Sequence, residues 1–186
     1  MDVATSANSM TVDAYLAWAE SRPGRTELWN GKVIEMAPEG AVHARLKARI
    51  FRSLEDGLRS AGLSCHAMPD GMTVRIGART AYEPDALVYC GDEVADDAIE
   101  IPHPVLVVEV LSPRTRCVDV SAKMPGYFSL PSVQHYLIAD PAGRLLIHHW
   151  RGDNDLIVSR IVRDGLIGFD PPGFTMAWSF PPASDG

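Results

Sequence analysis

The chain has 186 residues, 46% of them hydrophobic and 22% charged, the balance of a soluble globular protein large enough for a core of its own. It has no apolar stretch of membrane-spanning length, and its first residues, Met1-Asp-Val-Ala-Thr-Ser, lack the basic and apolar regions of a signal peptide. A formal net charge of −7 counts against a nucleic-acid binder, although an acidic metal site adds negative charge by itself and basic residues can cluster locally.

One domain is expected over residues 1–186, with flexible tails at 1–10 and 181–186. Residues 11–20 read as a short helix with Thr11 as N-cap, ended by Arg22-Pro23-Gly24. Residues 26–36 read as a hairpin, because Asn30-Gly31 is a strong signal for a two-residue type I′ turn. A long helix follows over 41–60, where Val42, Leu46, Ile50, Leu54 and Leu58 form one apolar stripe. Strands are expected at 64–68, 72–76 and 81–89, then an acidic loop at 91–100 and a strand at 104–111. Residues 118–130 read as a helix that Pro125 and Gly126 must bend or break. Strands at 134–140, 144–151, 156–162 and 174–180 complete the chain, with a turn at Asp164-Gly165. The order predicts an α+β protein with a mixed central sheet flanked by helices, an N-terminal hairpin and C-terminal strands. The cysteines, Cys65, Cys90 and Cys117, lie far apart, without zinc spacing. Their odd number argues against a disulfide framework, so a reducing, cytoplasmic setting is expected.

The residue that points to chemistry is Glu109. It interrupts Pro104-Val-Leu-Val-Val-Glu-Val-Leu111, a run with the pattern of a strand buried on both faces. A carboxylate there needs a partner or a cation. Asp85 follows Pro84 one strand earlier, and Lys123 follows on the next helix. If the two strands are neighbours, Asp85 and Glu109 converge at a sheet end. Two like charges so placed favour a cation between them. Mg²⁺ (or Mn²⁺) suits such a site, since it prefers oxygen donors and supports phosphodiester hydrolysis by activating water. The plainer alternative is structural: Glu109 paired with an arginine, and Pro84-Asp85 a strand-entry turn.

Several motifs in order resemble one family. Pro84-Asp85, Val108-Glu109-Val110-Leu111-Ser112-Pro113-Arg114-Thr115, then Asp119, Lys123 and Tyr127 look like the Uma-two restriction-endonuclease family, part of the PD-(D/E)XK nuclease superfamily. Glu27-Leu-Trp-Asn-Gly-Lys-Val-Ile-Glu-Met36 looks like its opening hairpin, and His43 matches a histidine on its first long helix. With Val133 to Pro141, the resemblance covers roughly residues 25–150. It implies a restriction-endonuclease-like core and hydrolysis of DNA. It also implies Asp85 and Glu109 as metal ligands, Lys123 as the catalytic lysine, and Glu27 as an additional acid near the metal. The superfamily's lysine usually stands two residues after the second acid. Here that position is Leu111, so the resemblance implies that Lys123 has taken over the role from the next helix. His135 stands where related sequences tend to carry an acid.

Among other residues, His43 is expected to contact phosphate or water near the metal, or else to be a half-buried structural histidine. Glu27 is a semi-buried site acid or a rim carboxylate paired with Arg25 or Lys32. Arg114 and Arg116, in the loop after the acidic strand, are the better DNA contacts; the row Arg45, Arg49, Arg52 reads more simply as a solvated face. His148 and His149 point to opposite faces of a strand and make a poor metal pair. Trp150, Trp178 and Phe180 are expected to pack the C-terminal strands or a dimer interface. A homodimer would suit the cutting of two antiparallel strands. The rivals are a catalytically silent nuclease-like module that binds nucleic acid or protein, and a metal-dependent hydrolase of RNA or a small phosphoester.

Overall fold

The computed structural model describes residues 9–112 and 122–180. Helix α1 (Val12–Ala19) starts at Thr11, whose hydroxyl accepts from the Ala14 N–H. Strands β1 (Thr26–Trp29) and β2 (Lys32–Glu35) form the expected hairpin, with Asn30 at φ 48° and Gly31 at φ 80° in its turn. Residues Ser9 and Met10, expected in the tail, are tied to it: the Met10 N–H donates to the Gly31 carbonyl.

Helix α2 (Ala41–Ala61) is the long helix, closed by Gly62 in the left-handed conformation. It is followed by β3 (Cys65–Pro69), β4 (Val74–Gly77), β5 (Thr80–Tyr82), β6 (Ala86–Cys90) and β7 (Pro104–Val110). The strand expected over 81–89 is therefore two strands, which belong to different sheets. The break is Glu83-Pro84-Asp85, where proline has no N–H to give a ladder. Helix α3 (Met124–Phe128) ends two residues before the end of the helix expected over 118–130, of which residues 118–121 lie outside the described ones. Then come β8 (His135–Asp140), β9 (Leu145–Arg151), β10 (Ile157–Val162), β11 (Asp164–Phe169) and β12 (Phe174–Ser179). Asp164-Gly165, read as a turn, begins β11 instead, pairing with Ser179 and Trp178.

The large sheet has the order β10-β9-β8-β7-β6-β3, mixed because β7 and β8 run parallel. The small sheet is β2-β1-β5-β4, and β11-β12 is a separate hairpin. On one face of the large sheet, Leu46, Ile50, Leu54 and Leu58 of α2 pack on Ala86, Val88, Leu106 and Val108, joined by Phe169, Phe174, Met176 and Trp178. Each buried aliphatic side chain of this kind stabilises by about 1.5–3 kcal/mol. The other face, with Leu87, Val107, Tyr136 and Ile138, packs on Tyr82, Val74 and Tyr127 from the small sheet and α3. Glu109 shares this second face with Val107.

The cysteine expectation is corrected. Cys65 and Cys90 are directly opposed in the β3–β6 register and form a disulfide. An odd total left room for one bridge, and pairing depends on register, which spacing does not reveal. Cys117 lies outside the described residues.

Candidate active site

The centre of the site is the end of β7. β6 and β7 are neighbours, with Ala86 opposite Val108, and the Asp85 N–H donates to the Val108 carbonyl (2.9 Å). Asp85 and Glu109 therefore stand at adjoining positions on adjacent strands, as the sequence predicted. Their carboxylates have different company. The Val110 N–H donates to Asp85 Oδ2 (2.7 Å), and His43 Nε2 meets the Val110 carbonyl (2.7 Å). Side chains of Asp85 and His43 thus satisfy the last residue of the strand. His43 Nε2 also lies 3.8 Å from Asp85 Oδ2, and Lys47 Nζ lies 3.5 Å from Asp85 Oδ1.

Glu109 accepts from Lys123 Nζ (2.9 Å) and from the Tyr127 hydroxyl (2.7 Å), both on Oε1. The same ammonium is 2.8 Å from Glu27 Oε1. Glu27 also accepts from Trp29 Nε1 (3.0 Å) and from the Glu83 N–H (2.9 Å). Glu27, Asp85, Glu109 and Lys123 are all buried. Among the described residues, the counter-ion of Glu109 is Lys123. Glu27 pairs with Lys123 rather than with Arg25 or Lys32.

Burial pushes the Asp85 carboxyl above its ordinary value, opposed by the Val110 N–H and the positive charges of His43, Lys47 and Lys123. Burial likewise pushes the Tyr127 hydroxyl well up, assisted by the charges of Glu109 and Glu27, so it stays protonated and donates. On the α2 side, burial raises the Glu39 carboxyl, but the hydrogen bond and charge of Lys47, then His43 and Arg25, outweigh it and hold it below the usual range. Arg25 reaches Glu83 (2.6 Å) and Asp70 (2.9 Å). Lys47 reaches Asp70 (2.7 Å) and Glu39.

The residues present fit a divalent cation. His43 Nδ1 is buried without a hydrogen-bond partner, and the surrounding donors are carboxylate oxygens, which hard cations prefer. Among the described residues, one grouping of three or more possible ligands has its ligand atoms within 4.8 Å of one another: Glu39, His43 and Asp85. Glu109 is not part of that group.

The remaining sequence-predicted residues divide clearly. Arg114, Arg116 and Asp119 lie outside the described residues. Arg49 donates to the Ser179 carbonyl and lies over the Trp178 ring, packing α2 on β12. His135 is buried between His148 Nε2 (3.0 Å) and the Pro171 carbonyl (2.8 Å), a role in holding the chain around β11 and β12. His149 turns the other way to Ser159 (2.7 Å). The sequence reading missed Lys47, Glu39, Asp70 and the role of Tyr127. The signal for Lys47 was its place one turn after His43, on the same helix face. Tyr127 stands four residues after Lys123, which puts both on one side of α3.

Residues 12–181 match the family Uma2 (Uma-two), described as "Putative restriction endonuclease". Two proteins of Synechocystis sp. (strain ATCC 27184 / PCC 6803 / Kazusa) are similar. "Uncharacterized protein slr1290" is 26% identical over 151 residues, covering 80% of this chain and 78% of that one. "Uncharacterized protein sll1609" is 25% identical over 166 residues, covering 87% and 93%. A crystal structure described as "a putative nuclease belonging to DUF820" from Anabaena variabilis ATCC 29413 superposes with a TM-score of 0.66 at 16% identity, covering 87% of this chain and 90% of that chain. At that identity the likeness is one of fold, and it agrees with the mixed α+β architecture described above. With a family match along nearly its whole length, and with the motif residues gathered at the end of β7, the chain belongs to the Uma2 family.

Proposed function

We propose that the protein is a metal-dependent endonuclease that hydrolyses DNA phosphodiester bonds, with Asp85 and Glu109 as ligands of Mg²⁺ or Mn²⁺. The observation that carries this reading is the ammonium of Lys123. It comes from the N-cap of α3 to lie 2.9 Å from Glu109 and 2.8 Å from Glu27, which supports a lysine supplied from outside β7. The metal, when bound, supplies an activated water and charge neutralisation at the phosphoryl group. Lys123 stabilises negative charge beside Glu109. Tyr127 fixes the rotamer of Glu109 by donating to the same oxygen, and Glu27 holds the lysine from the other side. His43, 3.8 Å from Asp85, stands beside the metal. Arg114 and Arg116 follow β7 in sequence and meet the DNA backbone. A homodimer would present two such sites to antiparallel strands.

One observation favours a second reading, a catalytically silent binding module: Lys123 is already paired with two carboxylates, and the chain carries a net charge of −7. The test is cleavage of supercoiled and linear DNA with Mg²⁺ or Mn²⁺, comparing the wild type with Asp85→Ala, Glu109→Ala and Lys123→Ala. Metal-dependent cutting lost in all three supports the proposal. Cutting that survives in the variants refutes the assignment. No cutting by folded wild type, on DNA or RNA, favours the silent module.

A further inference from the structure

Beside the Asp85–Glu109 pair, on the α2 side of the sheet, Glu39 and His43 face Asp85. The chemistry of His43 is fixed by its partner. Nε2 meets a backbone carbonyl at 2.7 Å, and a carbonyl only accepts, so Nε2 carries the proton. In the neutral ring, Nδ1 then keeps its lone pair. It is buried, it has no hydrogen-bond partner, and Glu39 Oε2 lies 3.4 Å from it. Two acceptors facing each other, the imidazole nitrogen buried and the carboxylate at its mouth, call for a cation between them. A histidine that donates one ring N–H to a backbone carbonyl while offering the other nitrogen is also the usual arrangement of a metal-ligating imidazole.

The charges nearby leave that position available. Lys47 and Arg25 both approach Glu39 at Oε1, so Oε2 is the oxygen turned to the imidazole. Asp85 completes the group, its carboxylate 3.8 Å from His43 Nε2 and 3.5 Å from Lys47 Nζ, with one ligand atom from each of the three residues within 4.8 Å of the others. A cleft of about 290 Å³, lined by Glu39, Lys47, Asp70 and Asp85 among others, gives access. Local sequence builds the group economically: Glu39 stands just before the start of α2 and His43 in its first turn, four residues apart.

We infer that Glu39, His43 and Asp85 form a divalent-metal site of one imidazole nitrogen and two carboxylates, suited to Mn²⁺, Co²⁺ or Zn²⁺ over Mg²⁺. The nitrogen donor makes the difference, since imidazole favours transition metals while Mg²⁺ prefers all-oxygen surroundings. The inference deepens the proposed function and rests on it for the use of the ion in cleavage; Asp85 would be shared between this site and Glu109.

The experiment uses the full chain and Mn²⁺ alone. Mn²⁺ binding is titrated by electron paramagnetic resonance, and pulsed measurements read ¹⁴N coupling to the bound ion. The variants are His43→Gln, Glu39→Gln and, as comparison, Glu109→Gln, each checked for folding by circular dichroism. Because Glu39 is partly solvent-exposed, Glu39→Gln serves if His43→Gln fails to fold. The expected result is Mn²⁺ with ¹⁴N coupling in the wild type, and coupling that persists in Glu109→Gln even though the ion is held more weakly there. The coupling is lost in His43→Gln, and affinity falls about tenfold or more in Glu39→Gln. Mn²⁺ bound without ¹⁴N coupling, binding indifferent to Glu39→Gln, or no binding by folded wild type would each overturn the site. The last includes the case in which a doubly protonated His43 fills the gap with a proton. DNA cutting that needs Asp85 and Glu109 without ¹⁴N coupling sinks this inference alone. Coupled Mn²⁺ with no cutting sinks the nuclease reading and leaves the site standing.

Discussion

Lys123→Met isolates the electrostatic role of the buried ammonium. The Lys123, Glu27 and Glu109 side chains are 4%, 6% and 4% exposed, so methionine keeps most of the stem and removes the charge that both acids face. Breaking a buried pair from one side costs about 3–5 kcal/mol, because the remaining charge is left uncompensated. For a chain of this length each kcal/mol lowers Tm by about 2–4 °C, so a fall on the order of 10 °C is expected in metal-free buffer at neutral pH. Glu109→Gln in the same background removes one of the stranded charges while its amide oxygen still accepts from Tyr127. Part of the loss should therefore return, and a double-mutant cycle by urea denaturation measures the coupling. If Lys123→Met melts with the wild type and the coupling is under about 0.5 kcal/mol, the scatter expected of independent sites, Lys123 does not neutralise these acids and the reasoning fails. The result also decides the temperature at which cleavage by this variant can be judged.

Three further outcomes follow from other parts of the molecule. Burial, with the positive charges of His135 and Arg160 nearby, holds the His148 pKa down to about 3 from 6.5. The unfolded chain therefore takes a proton that the folded chain refuses, and stability falls as pH drops from about 6.5 toward 3. At pH 5 this amounts to at most about 2 kcal/mol, and His148→Gln should flatten the urea-derived stability profile between pH 7.5 and 5. A Cβ on Gly57 would sit 2.5 Å from the Thr175 carbonyl oxygen, so Gly57→Ala should cost about 1–3 kcal/mol by pushing α2 off β12. A thermal melt equal to wild type would mean that this contact gives way freely. The Cys65–Cys90 bridge closes a loop with a sequence separation of 25. Cys65→Ser with Cys90→Ser should therefore lose about 3 kcal/mol in oxidising buffer, read by denaturation with and without reductant; a reductant effect equal in both proteins would rule the bridge out.

Much of this was legible because it is local. The Asn30-Gly31 turn, the α2 stripe and the alternation along β7 each follow from period and turn chemistry. Glu109 stood out because charge in an apolar strand is costly. Its partner was legible through order of motifs rather than physics, since nothing in the spacing brings Lys123 beneath Glu109; the parallel β7–β8 crossover does. Lys47 escaped notice because a lysine on a helix ordinarily points to solvent. The approach of Asp70, just after β3, of Glu39 and of Asp85 makes its burial tolerable. Residues 81–89 looked continuous because both halves are apolar, and the two sheets they join become visible only in three dimensions. The disulfide was hidden for the same reason.

The ammonium of Lys123 gathers acids from distant parts of the chain: Glu27 from the first hairpin and Glu109 from the middle of the large sheet. On the ribosome, Asp85 and Glu109 emerge before Lys123 and Tyr127 are made. A nascent chain therefore holds Glu27 and Glu109 without the Lys123 ammonium that lies between them and the Tyr127 hydroxyl that donates to Glu109. Because domains of this size fold as units, any hydrolytic power of the site arrives only with the finished fold.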